Sequence, residues 1–341
     1  MRRERQRSAR ITQHRSPMKT NLLSTLCTLA LTMNSIAVGW ERLAPLPEPN
    51  GGFVSGAVDG RIVIAGGTNW KDDTKHWLTR IRAYDPATNT WRETGTLTAP
   101  LAYAAAGEHA GALWFAGGSS GKSTHTTVWN IDRSLAANSA FTLRSGFVLA
   151  GGSVLGSSLY VLGGTDDMDR LERVANTFLA IDLRAGSVTK LPDYPEPAFV
   201  IGATAACGDR FFAFGGARWD ATANAVANLS SAHAFNTTTG RWEKLAQLPY
   251  AVRGITALAL DDTHILLAGG YKNDTEEFTD EAFIYDIASG KYTATQPLPH
   301  RSGVSLVKLG NWIYCLGGED RKKHRSDAAF RIRWKELLPR N

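Results

Sequence analysis

Cysteine is scarce in this chain, with three in 341 residues. Cys27 falls in an apolar N-terminal segment, and Cys207 and Cys315 sit far apart in apolar runs of strand length. That usage excludes a disulfide framework and reads as two separate buried thiols. Long hydrophobic runs are missing as well: the apolar stretch over residues 21–31 is too short and too interrupted to span a bilayer. The body of the chain also lacks net charge. Residues 1–19 carry six arginines and Lys19 against Glu4 alone, which accounts for the whole formal charge of +6. No basic stripe is left to track a phosphate backbone, so nucleic acid is excluded as a partner. The histidines at 76, 109, 125, 233, 264, 300 and 324 form no pair at ligand spacing. Neither a metal nor any other cofactor is expected.

What the N-terminus does contain is a leader. Lys19 supplies a positive n-region and Leu22–Leu31 an apolar h-region, while Ala37-Val38-Gly39 places small residues before a cut ahead of Trp40. Met18 then reads as the functional start. Residues 1–39 are a basic extension and signal peptide, and residues 40–341 a single exported domain, periplasmic or extracellular. An uncleaved anchor would lack the small-residue site, and Ser24-Thr25-Leu26 is a poor match for lipid attachment at Cys27.

Glycine is plentiful, at 33 residues, and six pairs of it end six apolar runs. The runs are Ile62–Gly67, Leu113–Gly118, Leu159–Gly164, Phe211–Gly216, Ile265–Gly270 and Ile313–Gly318, with first glycines 51, 46, 52, 54 and 48 residues apart. Each run has the length of a strand. A second strand follows in each case, then turn formers such as Asp85-Pro86-Ala87-Thr88-Asn89, then an aromatic residue such as Trp91, Trp242 or Tyr292. With the strand preceding each Gly-Gly run, this makes four strands per repeat. The period and pattern resemble Kelch proteins, whose repeats near fifty residues build propeller blades. The fold class read from this is all-β, a six-bladed Kelch-type β-propeller.

A propeller must close or expose raw strand edges. Trp40-Glu41-Arg42-Leu43-Ala44-Pro45-Leu46-Pro47 copies the fourth-strand pattern of Trp242–Pro249, so blade six is expected to be closed by this N-terminal strand. The competing segment Trp334–Pro339 has no turn residues separating it from the preceding strand and reads as a tail.

In such blades, the residues after each Gly-Gly and those before each innermost strand share one rim. Asn69, Trp70, Tyr103, Arg144, Arg253 and Arg301 fall there, with Glu319. Guanidinium groups and flat aromatic faces around a funnel suit a small acidic sugar, because Arg pairs with carboxylate and aromatic rings stack on sugar C–H faces. The last blade continues Gly318-Glu319-Asp320-Arg321-Lys322-Lys323-His324-Arg325-Ser326-Asp327. Glutamate directly after the glycine, arginine six positions on, then a small hydroxyl residue and aspartate resemble the functional loop of the Kelch-type sialic acid mutarotases (N-acetylneuraminate epimerases). Gly303-Val304-Ser305-Leu306, Gly66–Trp70 and Pro100–Tyr103 are similar to a circularly permuted branch of that family. The loop departs from the family in having Asp-Arg-Lys-Lys-His where glycine and proline are usual.

That resemblance implies an isomerase needing no metal or cofactor, which interconverts the anomers of an acidic sugar such as N-acetylneuraminate. Glu319 would be its acid/base and Arg325 the holder of the substrate carboxylate, assisted by Arg301, Arg253 or Arg144, with Asn69, Trp70 and Tyr103 also contacting the sugar. Three other readings compete. A carbohydrate- or protein-binding propeller would bind without catalysis. A copper oxidase on a Kelch ring would need Cys, Tyr and His converging at the funnel, yet both cysteines lie in strands. A sialidase would carry Ser-x-Asp-x-Gly-x-Thr-Trp turns, which this sequence lacks.

Overall fold

The computed structural model describes residues 39–339, so the basic extension and leader expected over residues 1–39 lie outside the described residues apart from Gly39. Six four-stranded antiparallel sheets follow one another as the blades of a propeller. Their innermost strands are Val54–Val58, Ala105–His109, Gly151–Leu155, Ala203–Cys207, Thr256–Ala259 and Gly303–Leu309. Each packs against the innermost strands of both neighbouring blades, the first against the last included.

The Gly-Gly runs are the second strands, and their continuous apolar character has a simple cause. A second strand has another blade on each face, so both sets of alternating side chains are buried, as in Arg61–Ala65, where only Arg61 is not. The fourth strands lie at the outer edge and are mostly exposed, and those of blades one, two, four and five each carry one partly buried aromatic, Trp91, Phe141, Trp242 and Tyr292. Trp242 of blade four packs with Phe178, Phe211 and Phe235 at centroid distances of 4.9–6.4 Å.

The glycine pairs mark where each blade touches the segment entering the next. At Gly163 the backbone φ is +68°, and a Cβ there would lie 2.0 Å from the Phe199 carbonyl oxygen. Only glycine adopts that conformation without strain and leaves room for the contact.

Blade six closes as the copied pattern implied. Glu41 and Arg42 pair with Arg331 and Phe330 as its outermost strand, and the Leu43 and Leu46 amides donate to Ala329 and Asp327. Trp334–Glu336 forms a short 3-10 turn after the third strand and closes nothing. Cys315 is buried as expected. Cys207 is only half-buried, at the exit of its strand, where its Sγ lies 3.3 Å from the Asp261 carbonyl oxygen.

Two features were not anticipated. Blades one, four and five each carry an extra hairpin between their second and third strands: Thr68–Lys71 with Thr74–Trp77, Ala217–Asp220 with Ala225–Asn228, and Tyr271–Asn273 with Glu277–Phe278. The second feature is a chain of backbone hydrogen bonds running around the rim. The amide of Tyr103 donates to Gly52, Leu149 to Tyr103, Ile201 to Leu149 and Gly254 to Ile201, at 2.7–3.2 Å. All five residues have φ between +52° and +73°. Among the described residues the chain stops short of blade six, whose second strand instead runs on through both glycines as Trp312–Glu319, with Glu319 paired to Gly303.

Candidate functional site

The rim encloses an axial cavity of about 850 Å³. It exists because each blade contributes a small residue near the start of its innermost strand: Gly52, Ala104, Gly152, Gly202, Gly254 and Gly303. Larger side chains there would fill the axis. A volume of this size suits a ligand of one or two sugar rings.

Glu319, Arg325, Tyr103 and Arg253 all line this cavity. Glu319 ends an eight-residue strand, so its backbone is held by the sheet and its carboxylate is partly exposed, at 37%. Arg325 returns from the loop after that strand and is buried, with its side chain 3% exposed. Its Nη1 lies 2.9 Å from Glu319 Oε2 and donates to the His324 carbonyl at 3.1 Å. Nε donates to Thr68 Oγ1 at 3.2 Å and Nη2 to the Tyr103 hydroxyl at 3.1 Å. Three of the five guanidinium N–H groups, one on each nitrogen, therefore donate to the protein, while Nη1 also pairs ionically with Glu319. The side chain also fills the space over Gly51, where a Cβ would meet Arg325 Cδ at 2.6 Å. Arg325 thus acts as a brace at the cavity wall, in contrast to the expected holder of a substrate carboxylate.

The loop carrying Arg325 is latched to blade one's hairpin. Lys323 Nζ lies 3.2 Å from Asp73 and 6.0 Å from the Trp70 ring centroid. Within the loop, His324 Nδ1 meets Asp320 Oδ1 at 2.5 Å. On the same hairpin, Lys75 Nζ sits 4.8 Å from the Tyr103 ring centroid and 4.9 Å from that of Trp77, which meets Tyr103 edge-on. Burial alone would raise the Tyr103 phenol, but Arg325 and Lys75 outweigh it and hold the phenol below the ordinary tyrosine range.

Blades four and five build another part of the wall. Arg253 lies over the Tyr271 ring at 4.2 Å, and its Nη1 donates to Asn228 Oδ1 at 2.8 Å, so an amide and a ring satisfy it in place of a carboxylate. Tyr271 in turn hydrogen-bonds Asp274, which raises its phenol. Asp274 and Glu277 from the blade-five hairpin and Lys322 from the blade-six loop add charge to the lining, and Phe278 of the same hairpin adds an apolar ring.

Four residues expected at the site lie elsewhere on the rim. Arg144 and Arg301 are exposed and do not line the cavity; Arg301 is 68% exposed and 4.0 Å from Asp280. Asn69 is turned on its own hairpin, its Oδ1 accepting from the Trp70 amide at 2.7 Å. Trp70 packs under Lys323. The extra hairpins account for two of these displacements: that of blade one holds Asn69 and Trp70 out of the cavity lining, while that of blade five brings Tyr271 and Phe278 into it. Thr68 escaped sequence reasoning because its partner Arg325 lies 257 residues away in the chain, and Lys75 because its partner Tyr103 enters the next blade. Among the described residues no group of three His, Cys, Asp or Glu side chains is placed to hold a metal ion, and no helix is long and apolar enough to cross a membrane.

Residues 49–98, which contain all of blade one, match the Kelch motif. The chain is 32% identical over 106 residues to Kelch-like protein 23 of Pongo abelii, covering 30% of this chain and 18% of that protein. It is 26% identical over 172 residues to Kelch-like protein terF of Aspergillus terreus, covering 49% and 37%. A Kelch domain-containing protein of Vibrio cholerae is 26% identical over 127 residues, covering 36% and 33%. The matches span less than two fifths of each of these relatives. What they share with this chain is the repeat; the likeness to sugar mutarotases rests on the blade-six loop.

Proposed function

We propose that this member of the Kelch-repeat family, a six-bladed propeller with an ion-paired carboxylate in its axial cavity, binds a small acidic sugar there and interconverts its anomers. The observation that carries this is Glu319: partly exposed, fixed on a strand, held by the buried Arg325 and facing about 850 Å³ of open space. Mutarotation of a cyclic hemiketal needs the anomeric hydroxyl to lose a proton while the ring oxygen gains one. A positioned carboxylate can take the first. Arg253 and Lys322 are the cations placed to attract the substrate's own carboxylate, and Tyr271 and Phe278 offer flat faces to the sugar ring.

The test is Glu319→Gln, with exchange between the anomers of N-acetylneuraminate followed by NMR. The expected result is binding retained by calorimetry and a loss of about a hundredfold in the protein-catalysed rate. An undiminished rate would remove Glu319 from the mechanism.

A second reading has one observation in its favour. Asp274, Glu277 and Glu319 balance Arg253, Lys322 and Arg325 around the cavity, which gives a wall suited to holding a zwitterionic or hydroxylated ligand without chemistry. A pure binder would show saturable affinity and leave anomer exchange at its rate in buffer.

A further inference from the structure

Opening a hemiketal requires two proton transfers, and Glu319 accounts for one of them. We infer that Tyr103 supplies the other: it is the acid that protonates the ring oxygen, and Arg325 couples it to Glu319. This rests on the proposed mutarotase reading and adds a catalytic residue to it.

The geometry argues as follows. Tyr103 lines the cavity beside Glu319, and one guanidinium touches both, with Nη1 on the Glu319 carboxylate and Nη2 on the Tyr103 oxygen. The ring cannot swing away, because it lies against Gly52, where a Cβ would come within 2.4 Å of Tyr103 Cε1, and against the edge of Trp77. Tyr103 also has φ +61°, an uncommon conformation for a bulky residue, fixed by rim bonds from its own amide and to its own carbonyl.

Counting protons places the phenol's hydrogen. Thr68 has a single hydroxyl proton, which it gives to the Gly51 carbonyl at 3.1 Å while accepting Arg325 Nε. Arg325 Nη2 is a donor only. The Tyr103 O–H is thus free to turn into the cavity, with Thr68 Oγ1 at 3.3 Å its one other acceptor.

The step balances. The Glu319 carboxylate takes the proton of the anomeric hydroxyl, whose C–O bond becomes a carbonyl. The ring C–O bond breaks, its electron pair goes to the ring oxygen, and that oxygen takes the Tyr103 proton. Negative charge has passed from carboxylate to phenolate, and Arg325 contacts it in both places, so little electrostatic reorganisation is needed. After rotation about the adjacent C–C bond, the same two transfers run in reverse on the other face, and both residues regain their starting states.

The groups facing the phenol are Lys75 and Thr68 from blade one's hairpin and Arg325 from the blade-six loop, with Glu319 beyond Arg325. The chain has nine tyrosines, and burial or neighbouring carboxylates push the other eight upward. Tyr103 should therefore be the first to ionise in an ultraviolet pH titration.

The experiment combines that titration with anomer exchange of N-acetylneuraminate in wild type, Tyr103→Phe, Lys75→Gln and Glu319→Gln. The expected results are that Y103F loses the first phenol transition, binds the sugar normally and exchanges it about a hundredfold more slowly. K75Q, a change on a hairpin, should move that transition and the alkaline limb of the exchange rate upward together, because an acid must keep its proton to act. An intact rate in Y103F alongside a slow E319Q would overturn the role of Tyr103 alone. So would a K75Q limb that stays put while the phenol transition moves. Wild-type exchange at the rate of buffer would overturn the enzyme reading and this inference together.

Discussion

Arg325 is the residue on which the site turns, and the arrangement around it is specific to a guanidinium. A planar fork reaches Thr68, Tyr103 and Glu319 at once, whereas an ammonium group is a point charge on a flexible stem. Arg325→Lys should keep an ion pair with Glu319 and lose the bonds to Tyr103 and Thr68. We expect a fall in stability of roughly 1–3 kcal/mol, the usual effect of leaving buried polar groups without partners, together with an upward shift of the first phenol transition. Urea unfolding and ultraviolet titration of the same preparation measure both. A variant that matches wild type in both would show that charge alone suffices. Glu319 and Arg325 were legible in the sequence because they lie six positions apart, at the end of one strand and in the loop that follows it. Tyr103 was legible as a rim residue, but its bond to Arg325 was not, nor were Thr68 and Lys75: Thr68 and Tyr103 meet Arg325, and Lys75 meets Tyr103, only once blades six, one and two stand side by side. No local pattern records such a meeting.

A blade is a sheet whose two central strands are covered on both faces, and its Gly-Gly corner is where it presses on the segment entering the next. Gly163→Ala would require a left-handed alanine and would also drive a methyl into the Phe199 carbonyl, 2.0 Å from its ideal position. Gly156 has a similar φ of +62° in the tight turn of the same blade, with nothing within 4 Å of an added Cβ. Gly156→Ala should therefore show the conformational penalty alone, about 1–2 kcal/mol, and Gly163→Ala distinctly more. Equal losses in urea denaturation would mean that the corner is free to yield. The period of the glycines made the blades readable, because crowding at every corner demands the same residue. The three inserted hairpins broke that reading. They begin in the stretch directly after Gly-Gly, where a repeat tolerates variation, and their short strands carry no apolar alternation to announce them. Asn69 and Trp70 were placed near the axis for that reason, while the hairpin holds them off it.

The closed ring depends on a seam of two residue pairs, Glu41 with Arg331 and Arg42 with Phe330, backed by Leu43 and Leu46 in the core between blades six and one. Leu46 is 3% exposed, so Leu46→Ala should cost about 2–5 kcal/mol. Because every blade leans on two neighbours, we expect one cooperative transition at lower urea, with the same slope, as opposed to fraying of blade six alone. Tryptophan fluorescence and far-ultraviolet circular dichroism should coincide; separate transitions would mean that the ring stays intact with its seam open. The seam itself was readable because Trp40–Pro47 repeats Trp242–Pro249. The gap in the rim's chain of hydrogen bonds was not, since backbone bonds leave no mark on side-chain identity.

That seam also sets a clock on biosynthesis. Arg331 follows Glu41 by 290 residues, and at ribosomal speeds of about 5–20 residues per second the first strand waits roughly 15–60 s for its partner to emerge. Five blades can assemble in that interval, each burying a face against the one before, while the amino-terminal strand stays single and its leucines uncovered. Whatever escorts the nascent chain has a defined segment to shield and a defined moment of release, when the final hairpin arrives and the circle locks.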